Sequence, residues 1–335
     1  MSQIFKLDVP FWTIVKIILV GIMFYLLFLV KDIIALFFIV LILTASFRPI
    51  INKWSKKIGR IPAVSILIIL AVAILATVIS LVIPPVISQS KQLIESIPDL
   101  ITKYQIIREH LPNLQESLNT LSKNIGSITG GFVSVTAGIF GGIVAFFAAI
   151  VMTVYMLLSK DSISLVIKSV VAPDQHESVL ALARKISRKV GDWFRGQMLL
   201  GLIIGVLDYI GLMIIGAPYA LTLALLSGVL EIIPTIGPLI SGTIAVLVTL
   251  GSSPIKALFV ALLYIIVQQL ENSLIVPKVM QKAVGLSPVV IILAILTGAK
   301  LMGVVGAVIA VPIAASISVI IREWPTVRET FNKND

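Results

Sequence analysis

Asp208 and Glu231 stand inside long apolar runs of a 335-residue chain in which 58% of residues are hydrophobic and 13% charged. An ionised carboxylate at bilayer depth costs about 2.5 to 3.5 kcal/mol even on insertion scales, so each needs a task or a partner. Asp208 lies mid-run between Gly205 and Gly211. It either binds a proton or a cation, or stands protonated or hydrogen-bonded inside a helix bundle. Glu231 opens the segment Glu231-Ile-Ile-Pro-Thr-Ile-Gly-Pro238. Pro234, Gly237 and Pro238 within five residues break a helix there. Unwound carbonyls and a carboxylate at that break would hold a cation; alternatively Glu231 caps backbone amides freed by the break.

A second polar group is Gln268-Gln-Leu-Glu-Asn272. Gln268, Glu271 and Asn272 are spaced i, i+3 and i+4 and share a helix face. With Gln269 they offer hydrogen bonds to a polyol, or they serve as interhelical glue. Glu271 is also spaced to pair with Lys278. A further interruption, Gly298-Ala-Lys-Leu-Met-Gly303 followed by Pro312, marks the last apolar stretch. Its Lys300 either reaches the outer headgroups or stays in the bundle beside an acid.

The elements that must hold these groups are membrane helices. Charged residues make up about half the usual share, and mean hydropathy is +1.10. Too little polar surface remains to cover a soluble core. Cysteine is absent and histidine occurs only at 110 and 176. Disulfides, thiolate sites and a histidine zinc site are therefore not expected. No Gly-x-x-x-x-Gly-Lys-Ser/Thr loop is present, which disfavours an ATP-driven pump. No enzyme activity and no cofactor or metal is expected. The net charge of +10 sits in short loops beside apolar runs, as the positive-inside rule describes, and does not point to nucleic acid.

The fold expected is all-α: a polytopic membrane protein with about six full crossings, two Gly/Pro-broken helical hairpins and two amphipathic helical inserts. Residues 1–85 hold three N-terminal crossings, the third stopping at Pro84-Pro85. Arg48, Lys53, Lys56, Lys57 and Arg60 follow the second crossing with no acid among them, which places that loop and the N-terminus in the cytoplasm, and Arg322 and Arg328 beyond the last apolar stretch fit a cytoplasmic C-terminus. Residues 86–131 are near neutral and suit the outer side. Their apolar residues, from Leu93 to Ile128, step by four and three, as on a helix that either lies on the membrane or contacts another subunit. Pro98 and Pro112 divide this segment into short helices. Residues 132–158 form the fourth crossing. Residues 159–196 form a cytoplasmic interfacial insert, with a capping box at Asp174 and Glu177. Residues 197–321 form the transport core, with broken hairpins at 219–250 and 286–321, and 322–335 a cytoplasmic tail. Gly201 and Gly205 offer a close-packing helix face. Two interrupted hairpins entering from opposite sides and flanking one span point to a transport site.

An ordered series of short motifs carries a resemblance: Phe194-Arg-Gly-Gln197, Gly216-Ala-Pro-Tyr-Ala220, Ile232-Ile-Pro-Thr-Ile-Gly-Pro238, Val267-Gln-Gln-Leu-Glu-Asn272, Pro277-Lys-Val-Met-Gln-Lys282, Val284-Gly-Leu-Ser-Pro288 and Ala310-Val-Pro-Ile-Ala314. The chain resembles the AI-2E family of bacterial transporters over residues 1–321, most specifically from about residue 190 onward. The resemblance implies a multi-pass protein of the bacterial cell membrane that exports a small polar metabolite such as the quorum signal autoinducer-2. Sodium(lithium)/proton antiport, or a non-transporting scaffold role in sporulation, are the alternatives it carries. It also implies a homo-oligomer, a pentamer in the family. The carboxyls at 208 and 231 favour ion coupling, and membership alone does not settle the substrate.

Overall fold

The computed structural model describes residues 11–103, 144–159, 162–280 and 285–332. Among them the chain is all-α, with no strand. Helices α1 (Phe11–Leu29), α2 (Lys31–Ile58) and α3 (Arg60–Lys103) open the chain. After α4 (Val144–Leu158) come the short α5 (Ser162–Val170) and the long α6 (His176–Ile215). The short arms α7 (Ala220–Leu230) and α8 (Ile236–Leu250) follow. Next, α9 (Pro254–Leu270) continues through a π turn at Glu271–Ile275 into α10 (Val276–Met280). The last helix is α11 (Pro288–Asn332). Six stretches are long and apolar enough to cross a membrane: Phe11–Leu29, Lys31–Ile58, Arg60–Leu81, His176–Ile215, Pro254–Met280 and Pro288–Pro325. The protein is a multi-pass membrane protein.

Two of the helical segments turn back on themselves. Arms α7 and α8 have 11 and 15 residues. At 1.5 Å per residue they reach about 16 and 22 Å, short of the roughly 30 Å hydrocarbon core. They meet at residues 231–235. The second reversal lies inside α11, where Met302 and Gly303 leave helical geometry. Gly298 and Gly306 then press backbone to backbone, so that a Cβ on either would strike the other's carbonyl. Pro288–Pro325 is therefore a hairpin by geometry, although its length alone would make it a crossing. Both reversals pack on α6: Ile233 of the first joins Ile295, Ala307 and Val311 of the second around buried Trp193.

Prolines do not always stop the helices. The α3 backbone runs through Pro84-Pro85 and Pro98 to Lys103, where a break was expected. Proline lacks the N–H that would bond the carbonyl four residues earlier. For Pro85 that carbonyl is Leu81 O, and it accepts from the Thr222 hydroxyl of α7 at 3.3 Å. The same compensation keeps α2 intact across Pro49. The guanidinium of Arg195 donates to Ala45 O at 3.5 Å and Ser46 O at 2.7 Å, held by Asp192 at 2.5 Å. The basic loop expected after Phe47 is thus the last turns of α2, closed by Gly59 at φ +86°.

The interfacial insert and the fifth crossing form one helix. α6 has 40 residues, about 60 Å, or twice the hydrocarbon core. Its first half carries the basic face, yet Val190, Gly191 and Trp193 are buried, with Gly191 against the α2 backbone. The expected capping box does not form: Gln175 is the N-cap, without a side-chain hydrogen bond. The apolar steps from Tyr104 to Ile128, Pro112, the start of the fourth crossing and Lys282 lie outside the described residues.

Candidate functional site

Glycine sets the depth of the first hairpin. Gly201 and Gly205 on α6 face Gly228 on α7, and a Cβ at Gly228 would lie 2.7 Å from Gly201 O. Only hydrogen side chains allow that approach. It brings the end of α7 against the polar face of α6 formed by Gln197 and Asp208. The turn beyond is tight. Ile236 N–H donates to Pro234 O at 2.8 Å, across Thr235 at φ +70° and ψ −45°. A β-branched residue there is strained, and such strain persists only where the surroundings fix it. Gly237 packs on the Leu230–Glu231 backbone with no room for a Cβ, and Pro238 is buried beside it.

Three carboxyl groups gather in this region. Asp208 and Glu231 are each 1% exposed and Glu271 is 4% exposed. Asp208 comes from α6, Glu231 from the end of α7 and Glu271 from the π turn after α9. The Glu271 side chain faces the Glu231 carboxyl and acts on Asp208. Gln197 Nε2 donates to the Glu231 backbone carbonyl and, at 3.4 Å, to Glu231 Oε1. Gln268 Nε2 donates to Glu271 Oε2 at 3.1 Å. On the other side, the hydroxyls of Ser227 and Tyr264 are 2.9 Å apart, and Ser227 also faces Asp208. Asp208 Oδ1 and Glu231 Oε2 are buried with no hydrogen-bond partner among the described residues. Neither of the ion pairs seen, Lys185–Glu323 and Arg195–Asp192, involves the cluster. Buried carboxylates that face one another repel, so this set calls for a proton or a cation among its members.

The π turn places Glu271. Val276 N–H bonds Glu271 O, five residues back, just before Pro277, which has no N–H to give. Single π turns inside helices often mark functional positions.

Residues 14–326 match the family described as AI-2E family transporter. The chain belongs to the AI-2E transporter family. It is 28% identical over 294 residues to YueF of Bacillus subtilis strain 168, whose name proposes a transport protein; the match covers 82% of this chain and 80% of that one. PerM of Escherichia coli K12, named as a proposed permease, is 25% identical over 292 residues, 83% of each chain. YrrI of Bacillus subtilis, also named for transport, is 38% identical over 139 residues, 42% of this chain and 39% of its own.

Within this AI-2E family chain the residues singled out from sequence separate. Asp208, Glu231, Glu271 and Gln268 come together, with Pro234, Gly237 and Pro238 forming the turn beside them. Gln269 and Asn272 are exposed on other faces of the same helix, and Lys278 is exposed while Glu271 is buried. In the second hairpin Gly298 is a packing contact, Gly303 turns the chain at φ +60° and Pro312 is buried. Lys300 is exposed at the tip, next to Leu301, whose carbonyl accepts from Lys31 Nζ at 3.5 Å. Sequence reading did not single out Ser227 and Tyr264, and it used Gln197 only as part of a motif. Their signal is spacing: Ser227 is i−4 from Glu231, and Tyr264, Gln268 and Glu271 follow one helix face. The arrangement can pass a proton between oxygens. Among the described residues the three carboxyls do not converge as a ligand set for a metal ion.

Proposed function

We propose that this AI-2E family protein is a secondary transporter in which Asp208, Glu231 and Glu271 couple proton movement to the passage of a small polar solute. One observation carries the reading. Among the described residues three carboxyl groups are buried near the break of a membrane hairpin, two with an unpartnered oxygen, and no basic side chain forms an ion pair with them. Such groups are costly in a membrane and mark ion pathways and proton relays. A purely structural scaffold has no evident need of them. Autoinducer-2, a small polar metabolite, is the solute proposed, as the motif resemblance implies.

Sodium(lithium)/proton antiport is the second reading. It is favoured by the C-terminal end of α7, where helix carbonyls and Glu231 together present negative charge to a cation. Proteoliposomes with imposed sodium, lithium and proton gradients, with and without autoinducer-2, separate the two. The first reading predicts autoinducer-2 flux driven by a proton gradient without added sodium or lithium. The second predicts cation-dependent proton flux that ignores autoinducer-2. Neither flux would overturn both. We place the protein in a bacterial cell membrane with both termini cytoplasmic, as a homo-oligomer.

A further inference from the structure

Away from the carboxyls, two cavities adjoin among α2, α5 and α6, the apolar one also walled by Met156 of α4 and by Pro312 and Ser316 of α11. The first, about 470 Å³, is apolar and includes Phe37, Phe38, Met156, Ile167 and Ile186 in its wall. The second, about 520 Å³, is lined by Arg48, Arg184, Arg188 and Arg195, with Asn52 and Ser164. Ala45, Arg48, Ala183 and Ser187 belong to both walls, so the two chambers adjoin across these residues. No acid lines either chamber. Arg195 is tied to Asp192 and to the α2 carbonyls, and Arg48 donates to Ser159 O at 3.3 Å. Arg184 and Arg188, one helical turn apart, form the remaining cationic wall. Thr44 Oγ1, in the apolar wall, is buried with no hydrogen-bond partner among the described residues.

The flanking helix α5 fixes the level of this double chamber. Ile167 lines the apolar part and Ser164 the cationic part, while Leu165 and Val170 are 66% and 80% exposed. A short amphipathic helix with bare apolar side chains lies at a membrane surface. The chamber therefore pairs an oily compartment with an arginine-lined one at the level of the headgroups. That is the charge and polarity sequence of an anionic phospholipid: phosphate at the arginines, one acyl chain between Phe37 and Ile186. Arginine recognises phosphate through paired N–H donors, and basic pockets beside membrane helices bind anionic headgroups.

We propose that the adjoining cavities among α2, α5 and α6 form a binding site for an anionic phospholipid, its headgroup held by Arg184 and Arg188. This site is independent of the carboxyl cluster. The test is native mass spectrometry of the full-length protein released from nanodiscs of equal phosphatidylglycerol and phosphatidylcholine. Wild type is expected to retain phosphatidylglycerol preferentially. The double substitution Arg184→Gln/Arg188→Gln should lower that retention roughly tenfold or more, at about 1 kcal/mol per basic contact. Lys53→Gln/Lys56→Gln removes the same charge from exposed positions outside the chamber and should change retention little. Ala183→Trp, which fills the shared wall, should lower retention with all charges intact. Size-exclusion elution and unfolding temperature confirm that each variant is folded. Equal retention of both lipids overturns the site, as does equal loss in the two charge variants. If inorganic phosphate competes fully at millimolar concentration, the chamber is a vestibule for soluble anions and the lipid assignment fails.

Discussion

Replacing Gly228 by alanine tests how closely α6 and α7 must approach. The added Cβ would sit 2.7 Å from Gly201 O, 3.5 Å from Gly201 C and 3.6 Å from Gly205 Cα. Ordinary contact begins near 3.4 Å, so the helices must part by about 0.7 Å. The obstacle is backbone in a helix of 40 residues, which cannot turn aside as a side chain would. Overpacking of this kind costs about 1 to 3 kcal/mol. Ser227, 2.9 Å from the Tyr264 hydroxyl, and Glu231 both move with α7, so ion-coupled flux should fall severalfold as well. Two controls fix the scale. At Gly211 the three atoms nearest a new Cβ all belong to the Leu263 side chain, which can change rotamer, so Gly211→Ala should cost less. At Gly21 nothing lies within 4 Å, and alanine should be neutral or stabilise α1 by about 0.5 to 1 kcal/mol. Thermal unfolding in detergent, together with flux in proteoliposomes, reads all three. Gly228→Ala with wild-type unfolding and wild-type flux would refute the close approach.

Three further outcomes are expected. Tyr264→Phe removes the hydroxyl beside Ser227 and should cost about 1 kcal/mol, with a drop in flux; unchanged unfolding and flux would detach Tyr264 from the site. Arg195→Gln should destabilise by about 1 to 3 kcal/mol, because Ala45 O and Ser46 O lose their donor. Adding Pro49→Ala restores an N–H for Ala45 O and should recover part of that loss, so strictly additive effects would contradict the compensation. Finally, single cysteines at Ser55 and Lys300 should label from opposite sides of the membrane, since Lys300 lies at the end shared with Lys31 and Ser55 at the other end of α2; labelling from one side would overturn the arrangement.

Five of the six expected crossings fall on helices long enough to span, because apolar run length maps directly onto bilayer thickness; of the fourth, only residues 144–158 are described. The hairpin turns were legible at Pro234–Pro238 and near Gly303, where glycine and proline crowd together. Pro84-Pro85 misled the boundary of α3 for a tertiary reason. The carbonyl that Pro85 frees, Leu81 O, is bonded by Thr222, well over a hundred residues away in sequence. The two halves of α6 read as separate because the basic face of its first half ends where the apolar run begins, while the backbone continues unbroken. In the site, Asp208 and Glu231 stood out because a buried acid is expensive, and Glu271 only as part of a polar helix face. Ser227, Tyr264 and Gln197 did not, since a hydroxyl or amide in a membrane helix satisfies itself in many ways. Only the folded chain shows which partner each one takes. The double chamber at Arg184 and Arg188 was hidden likewise, because a run of exposed basic residues reads as a solvated face, and only the folded chain shows that it lines a cavity with α2 and α5.

In the proposed coupling, Glu231 carries a proton instead of merely capping a broken helix. Glu231→Gln keeps the size of the side chain and its hydrogen bond with Gln197 while removing the ionisable proton. The decisive measurement is the pH profile of gradient-driven flux in proteoliposomes holding equal amounts of folded wild-type and Glu231→Gln protein. The account predicts at least a tenfold loss of flux, and a residual rate that no longer follows pH as the wild type does. Wild-type rates with the wild-type pH profile in the glutamine variant would contradict it.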